Sequence, residues 1–133
     1  MIIVSLNCQM GNQLFQYAFA KATARRLRAF LIPFQSNPFY PFKLQFFELD
    51  LFTRFVYSHP KVTKQYHRVC RKLVKHVFKT EITGNDWENG VEIRNNVYYE
   101  GFFQSDSYFQ KYDSLIKKKL TLRKQYRKAF ENK

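Results

Sequence analysis

Apolar and polar positions along the chain follow two different periods. Residues 2–6, IIVSL, form a short β-branched and aliphatic run. Such a run suits a strand buried on both faces of a parallel sheet. Residues 12–29, NQLFQYAFAKATARRLRA, read as a helix in which Leu14, Phe15, Ala18, Phe19, Ala22 and Leu27 make a broad apolar face. Lys21, Arg25, Arg26 and Arg28 crowd its last turns, where cations complement the helix dipole. FLIPF (30–34) reads as a second strand ended by Pro33. Strand, turn, helix, strand is the opening of a βαβ unit, so an α/β fold is expected.

Residues 35–60 read as irregular, punctuated by Pro38, Pro41 and Pro60, with the apolar LQFFELDLF packing back on the core. The period returns over 61–79. Val62, Tyr66, Val69, Cys70, Leu73, Val74, Val77 and Phe78 fall on one face, and Lys61, Lys64, Arg68, Arg71, Lys72, Lys75 and Lys79 mostly on the other. This is a basic amphipathic helix. TGNDWENG (83–90) is turn-rich, VEIRNNVYYEGFF (91–103) holds one or two strands, and 105–133 reads as helix. Ser105 or Asp106 is the expected N-cap, Phe109, Tyr112, Ile116, Leu120, Tyr126 and Phe130 the buried face, and a break is expected near Thr121.

Composition adds one strong constraint. The 133 residues suit a single modest domain, and they carry a formal net charge of +13. An excess of this size points to a polyanionic partner or an anionic surface, and says nothing about fold. Cys8 and Cys70 belong to no C-x-x-C pair and have no His or Cys at zinc spacing nearby, so both are expected as free thiols in a reducing compartment. MIIVSLNC lacks the basic and long apolar regions of a signal peptide, and no apolar run approaches the roughly 18–20 residues of a membrane span. The expectation is a cytoplasmic protein, with peripheral contact to the cytoplasmic face of a membrane as an option.

The segment CQMGNQLFQYAF (8–19) carries the candidate chemistry. A glycine between strand and helix allows close backbone approach, the first helical turn offers unpaired N–H groups, and Asn12 and Gln13 add amides that donate and accept. This suits phosphate, sugar or carboxylate. It is neither a G-x-G-x-x-G fingerprint nor a G-K-[ST] phosphate loop. The structural alternative is that Gly11 makes the turn and Asn12 caps the helix.

MGNQLFQYAFAKATARRL resembles the N-terminal motif of the α-1,2-fucosyltransferases, glycosyltransferase family 11, which runs Gly-Gly-Leu-Gly-Asn-Gln-Leu/Met-Phe-Gln-Tyr-Ala-Phe. YYEGFFQSDSYF (98–109) is similar to the family's Tyr-Leu-Glu-Gly-Tyr-Phe/Trp-Gln-Ser-Glu-Lys-Tyr-Phe, and FELDLF (47–52) to what lies between them. Cys8-Gln9 replaces the family's double glycine and Met10 its leucine. The family's His-x-Arg-Arg-Gly-Asp motif, which neutralises the donor's diphosphate, is absent; the only Arg-Arg here is Arg25-Arg26.

The resemblance implies that residues 1–133 are the Rossmann-like N-terminal half of a GT-B-type glycosyltransferase, without the donor-binding domain and inactive alone. It further implies inverting, metal-independent transfer of fucose from GDP-fucose to the 2-hydroxyl of a galactose-type glycan, with no cofactor. Gly11, Asn12 and Gln13, with Gly101, Gln104 and Ser105, would line the donor and acceptor cleft. No general base stands out, and His59, His67 and His76 are expected at the surface. The other reading is a basic non-catalytic module that meets an anionic membrane or polyanion through Lys64, Arg68, Arg71, Lys72 and Lys75. Nucleic acid is disfavoured as a partner, because no ribonucleoprotein, zinc-finger or helix-turn-helix pattern orders the aromatics.

Overall fold

The computed structural model describes residues 1–37, 39–82, 93–103 and 110–131. Four strands, β1 (Ile2–Ser5), β2 (Leu31–Phe34), β3 (Lys79–Ile82) and β4 (Val97–Glu100), form one parallel sheet in the order β2-β1-β4-β3. Ile3 of β1 lies opposite Ile32 on one side and Tyr98 on the other. The two central strands are buried on both faces, which explains the unbroken apolar run at the start of the chain.

The helices divide between the two faces. Helix α1 (Met10–Leu27) covers one face, where Ile2, Val4, Leu6, Tyr17, Phe19, Ala20, Ala24 and Tyr99 share a core. Phe19 stacks on Phe103 at 3.8 Å between ring centroids. Helix α3 (Pro60–His76) covers the opposite face, with Cys70 and Phe78 buried against Ile3, Ile32, Phe34 and Tyr98. Between them, α2 (Leu51–Ser58) starts at an Asp50 cap whose carboxylate accepts from the Thr53 amide at 2.9 Å. The last described elements are α4 (Asp113–Lys119), entered through a single 3-10 turn, and α5 (Lys124–Glu131). The result is a parallel sheet flanked by helices, compatible with the Rossmann-like α/β class.

Several expectations need correction. Helix α1 begins at Met10, with Gln9 as its cap and no side-chain capping bond, so Asn12 is not the cap. The turn before it is made by Cys8, which takes the left-handed conformation at φ 64°, and Gly11 lies within the first helical turn. The buried face of α1 is also wider than its aliphatic stripe. Tyr17, Phe19, Ala20 and Ala24 meet the sheet while Ala18 and Ala22 meet Ile116 of α4; Phe15 stays partly exposed.

Pro33 lies inside β2 rather than ending it. That is allowed because β2 is an edge strand, so the missing N–H faces away from β1. Its outward carbonyl accepts from the hydroxyls of Tyr57, at 2.9 Å, and Tyr66. The segment 35–60 contains α2, and the basic helix stops at His76 to release β3. Val69 and Val77 are exposed instead of packed. The C-terminal break falls where expected, around Thr121–Arg123, and Leu122 bridges to Phe47 there. The proposed caps Ser105 and Asp106, and Phe109, lie outside the described residues.

Candidate functional site

In an open parallel sheet, ligands bind outside the carboxyl ends of the strands, where neighbouring connections leave in opposite directions. Here β1 and β4 are neighbours in the sheet, so the space between the loops that follow them is the candidate crevice. Two glutamines of α1, one turn apart and fully buried, build these loops.

Gln16 accepts from the Asn7 amide at 2.9 Å and donates to Asn7 Oδ1 at 3.1 Å and to the Gly101 carbonyl at 2.9 Å. It therefore joins the turn after β1 to the turn after β4. Gln13 donates to the carbonyls of Cys8 and Pro41, at 3.2 and 2.9 Å, and accepts from the Lys43 amide at 2.9 Å. Both of its N–H bonds and its carbonyl are engaged. The Gln13 amide holds the loop, and binding a ligand directly would require one of these bonds to break.

Gly11 is exposed, and a β-carbon built on it would meet no atom within 4 Å. The fold itself makes no demand for glycine there; what glycine leaves is bare backbone facing open space. Asn12 is half-exposed in the same turn. Gly101 stands at the Gln16 junction. Gln104 and Ser105 lie outside the described residues.

On the α3 side of the sheet, a cavity of about 430 Å³ is lined by Asn7, Ser36, Arg71, Lys75, Tyr98 and Glu100, among others. Asn7 donates to Ser5 Oγ at 3.2 Å, and Ser5 and Ser36 bond through their hydroxyls. Burial pushes the Tyr98 phenol up to about 12; its hydrogen bond with Ser5 opposes the rise and the nearby Glu100 charge adds to it. Tyr98 therefore stays protonated and donates to Glu100 at 3.2 Å. A second cavity of about 500 Å³ meets Gln35, Phe42, Tyr57, Lys64 and His67, and shares Arg71 with the first.

The five basic residues of α3 thus separate. Arg71, Lys75 and Lys64 border cavities, whereas Arg68 and Lys72 are exposed and border neither. His67 is half-buried rather than at the surface, close to the Tyr57 hydroxyl at 3.3 Å. Burial, helped by the Arg71 charge, holds its pKa below the usual histidine value. Cys70, on the sheet-facing side of the same helix, is buried and its thiol is pushed up to about 11 by burial, which makes it a poor nucleophile.

Asn7, Gln16, Ser36 and Tyr98 were not singled out by the sequence. The available signal was the pair of glutamines, Gln13 and Gln16, on an otherwise apolar helix: a buried amide at such a position must bond to backbone. Among the described residues no group of three or more His, Cys, Asp or Glu side chains is placed to hold a metal ion. No described helix is long and apolar enough to cross a membrane. No protein-family model matches the chain, and no curated protein or solved structure matches it significantly.

Proposed function

We propose that the chain is the Rossmann-like, N-terminal half of a GT-B-type α-1,2-fucosyltransferase, working in the cytoplasm on GDP-fucose and a galactose-type glycan. The observation that carries this reading is the hydrogen bond from Gln16 to the Gly101 carbonyl, which joins two segments that resemble the same family although they lie far apart in sequence. They meet at the carboxyl end of the sheet, where α/β proteins bind nucleotides and sugars. Cys8 adds support, because it takes a glycine-like backbone conformation where the resembled motif carries glycine.

In this reading Gly11 lets the donor or acceptor approach the first turn of α1, and Asn12 bonds a sugar or phosphate oxygen. Gln13 and Gln16 act as positioning residues for the loops. Arg71 and Lys75 bring fixed positive charge to the same end of the sheet, which suits a departing diphosphate without a metal.

Calorimetry with GDP-fucose, GDP-mannose and a β-galactoside tests the reading. With the donor's diphosphate motif absent from these residues, the expected result is galactoside binding that Asn12→Ala weakens, with any GDP-fucose binding weaker and selective over GDP-mannose. If neither GDP-fucose nor the galactoside binds, the reading fails.

A second reading is contact between α3 and an anionic membrane surface or polyanion. Its basic face is exposed, but its apolar stripe already packs on the sheet and is not available for insertion into lipid. Contact would rest on charge alone. Sedimentation with anionic vesicles should then collapse as salt rises; binding insensitive to salt would contradict it.

A further inference from the structure

A third cavity, of about 790 Å³, is lined by the last turns of α1, the start of β2, the start of α2 and by α4. Because it meets Phe30 and Leu31, it sits at the amino end of β2, away from the crevice described above.

Its chemistry has two parts. Lys21, Arg25 and Arg26 contribute positive charge from α1, Arg28 from its C-cap and Lys119 from α4. The one carboxylate in the lining is Asp50, which already pairs with Lys21 at 3.7 Å and accepts from Tyr17 and Thr53. Among the described residues no carboxylate pairs with Arg25, Arg26, Arg28 or Lys119. The rest of the lining is largely apolar: Phe30, Leu31, Phe52 and Leu115, with Phe30 54% exposed.

The helix dipole explains cations in the last turn of α1. The same effect accounts for Lys119 in the last turn of α4, but not for two helix ends bringing their cations to one cavity, nor for an exposed phenylalanine beside the arginines. The backbone amides of Arg28 and Ala29 turn back onto the carbonyls of α1, so they are not available to an anion. Any anion held here must be held by the side chains.

We infer that this cavity binds a phosphate-bearing amphiphile: Arg25, Arg26, Arg28 and Lys119 take the phosphate, and Phe30, Phe52 and Leu115 cover the adjoining apolar segment. Arginine forks suit phosphate geometry, and their bonds strengthen where apolar walls exclude water. The ligand is either a soluble amphiphilic phosphate or a lipid phosphate presented by a bilayer, and the two share the same recognition.

The test uses the whole chain and monododecyl phosphate below its micelle threshold, followed by calorimetry and by amide shifts. The expected result is binding to dodecyl phosphate with shifts at Arg25, Phe30 and Leu115. Inorganic phosphate and neutral dodecyl maltoside should each bind far more weakly. Arg25→Gln and Lys119→Gln should each weaken binding by about tenfold, the effect of one lost charge-assisted bond. Phe30→Ser should weaken dodecyl phosphate while leaving inorganic phosphate unaffected. Lys128→Gln, exposed on α5 and away from the cavity, should change nothing. Binding that extends to phosphatidic acid vesicles identifies the bilayer source, and binding confined to the soluble compound identifies the free one. Equal affinity for inorganic phosphate and dodecyl phosphate, or undiminished binding in Arg25→Gln and Lys119→Gln, would overturn the assignment.

Discussion

At the scale of single residues, Gly11 separates folding from function with one substitution. It lies in a helical turn and a β-carbon there has open space around it. Helical glycine costs roughly 0.5–1 kcal/mol relative to alanine, largely through unfolded-state entropy. Gly11→Ala should therefore stabilise the protein by about that amount in urea melts, while weakening any ligand that needs the bare backbone. Asp50 behaves in the opposite way. Burial alone would raise its pKa, but hydrogen bonds from Tyr17 and Thr53 and the charge of Lys21 outweigh that, and the net shift is downward. A depressed carboxylate contributes stability above its unfolded value near 4, and loses it as pH falls through the folded value. Tyr17→Phe should cost about 1–3 kcal/mol at neutral pH, and less in acid, where Asp50 is protonated in both proteins. Paired urea melts at neutral and acidic pH measure the difference; an identical cost at both would show that the carboxylate is not the partner that matters.

The two cysteines give a matching contrast in reactivity. Cys70 is buried with a raised thiol pKa, whereas Cys8 is partly exposed in the turn before α1. Labelling with iodoacetamide, read by mass spectrometry, should modify Cys8 first and Cys70 only on unfolding.

At the scale of elements, the sequence was most legible where one period ran long. The apolar run of β1, the length of α1, the basic face of α3 and the break near Thr121 were all visible in it. What escaped was set by distant partners. Helix α2 depends on the Asp50 cap and on its position beneath Tyr17, and an eight-residue segment in a proline-rich stretch is too short to be told as helix from its period alone. β3 has four residues, one of them lysine and one glutamate, and becomes a strand by pairing with β4. The buried glutamines reverse the usual meaning of polarity: Gln13 and Gln16 face inward because loop backbone waits for them there. Of the candidate site, the two motifs could be read from the sequence, but the Gln16–Gly101 contact between them needed the sheet order. That order carries its own prediction. β1 and β4 are flanked by strands on both sides, whereas β3 is paired only with β4. In native-state hydrogen exchange, the inward amides of β3 should open at lower free energy than those of β1.

At the scale of the whole molecule, charge and fold pull against each other. Twenty-three lysines and arginines face ten carboxylates. Among the described residues the ion pairs are Lys21–Asp50, Arg54–Glu48 and Lys117–Asp113, and the last is largely exposed and contributes little. Most of the positive surface is therefore uncompensated, and it gathers on α3 and around the end of α1. Such a surface repels itself in the compact state, and the repulsion weakens as the Debye length shortens from about 30 Å at 0.01 M salt to about 8 Å at 0.15 M. Thermal stability should accordingly rise over that range of sodium chloride, the reverse of a protein held together by surface ion pairs. A multivalent anion should do more than its ionic strength predicts if it occupies a built site, because binding to the folded state adds a concentration-dependent term of its own. Melts in chloride and in pyrophosphate at matched ionic strength separate the two contributions. A larger shift in pyrophosphate that Arg71→Gln reduces would place the extra binding at the carboxyl end of the sheet. One reduced by Arg25→Gln would place it at the end of α1, and equal shifts in both salts would leave screening as the whole effect.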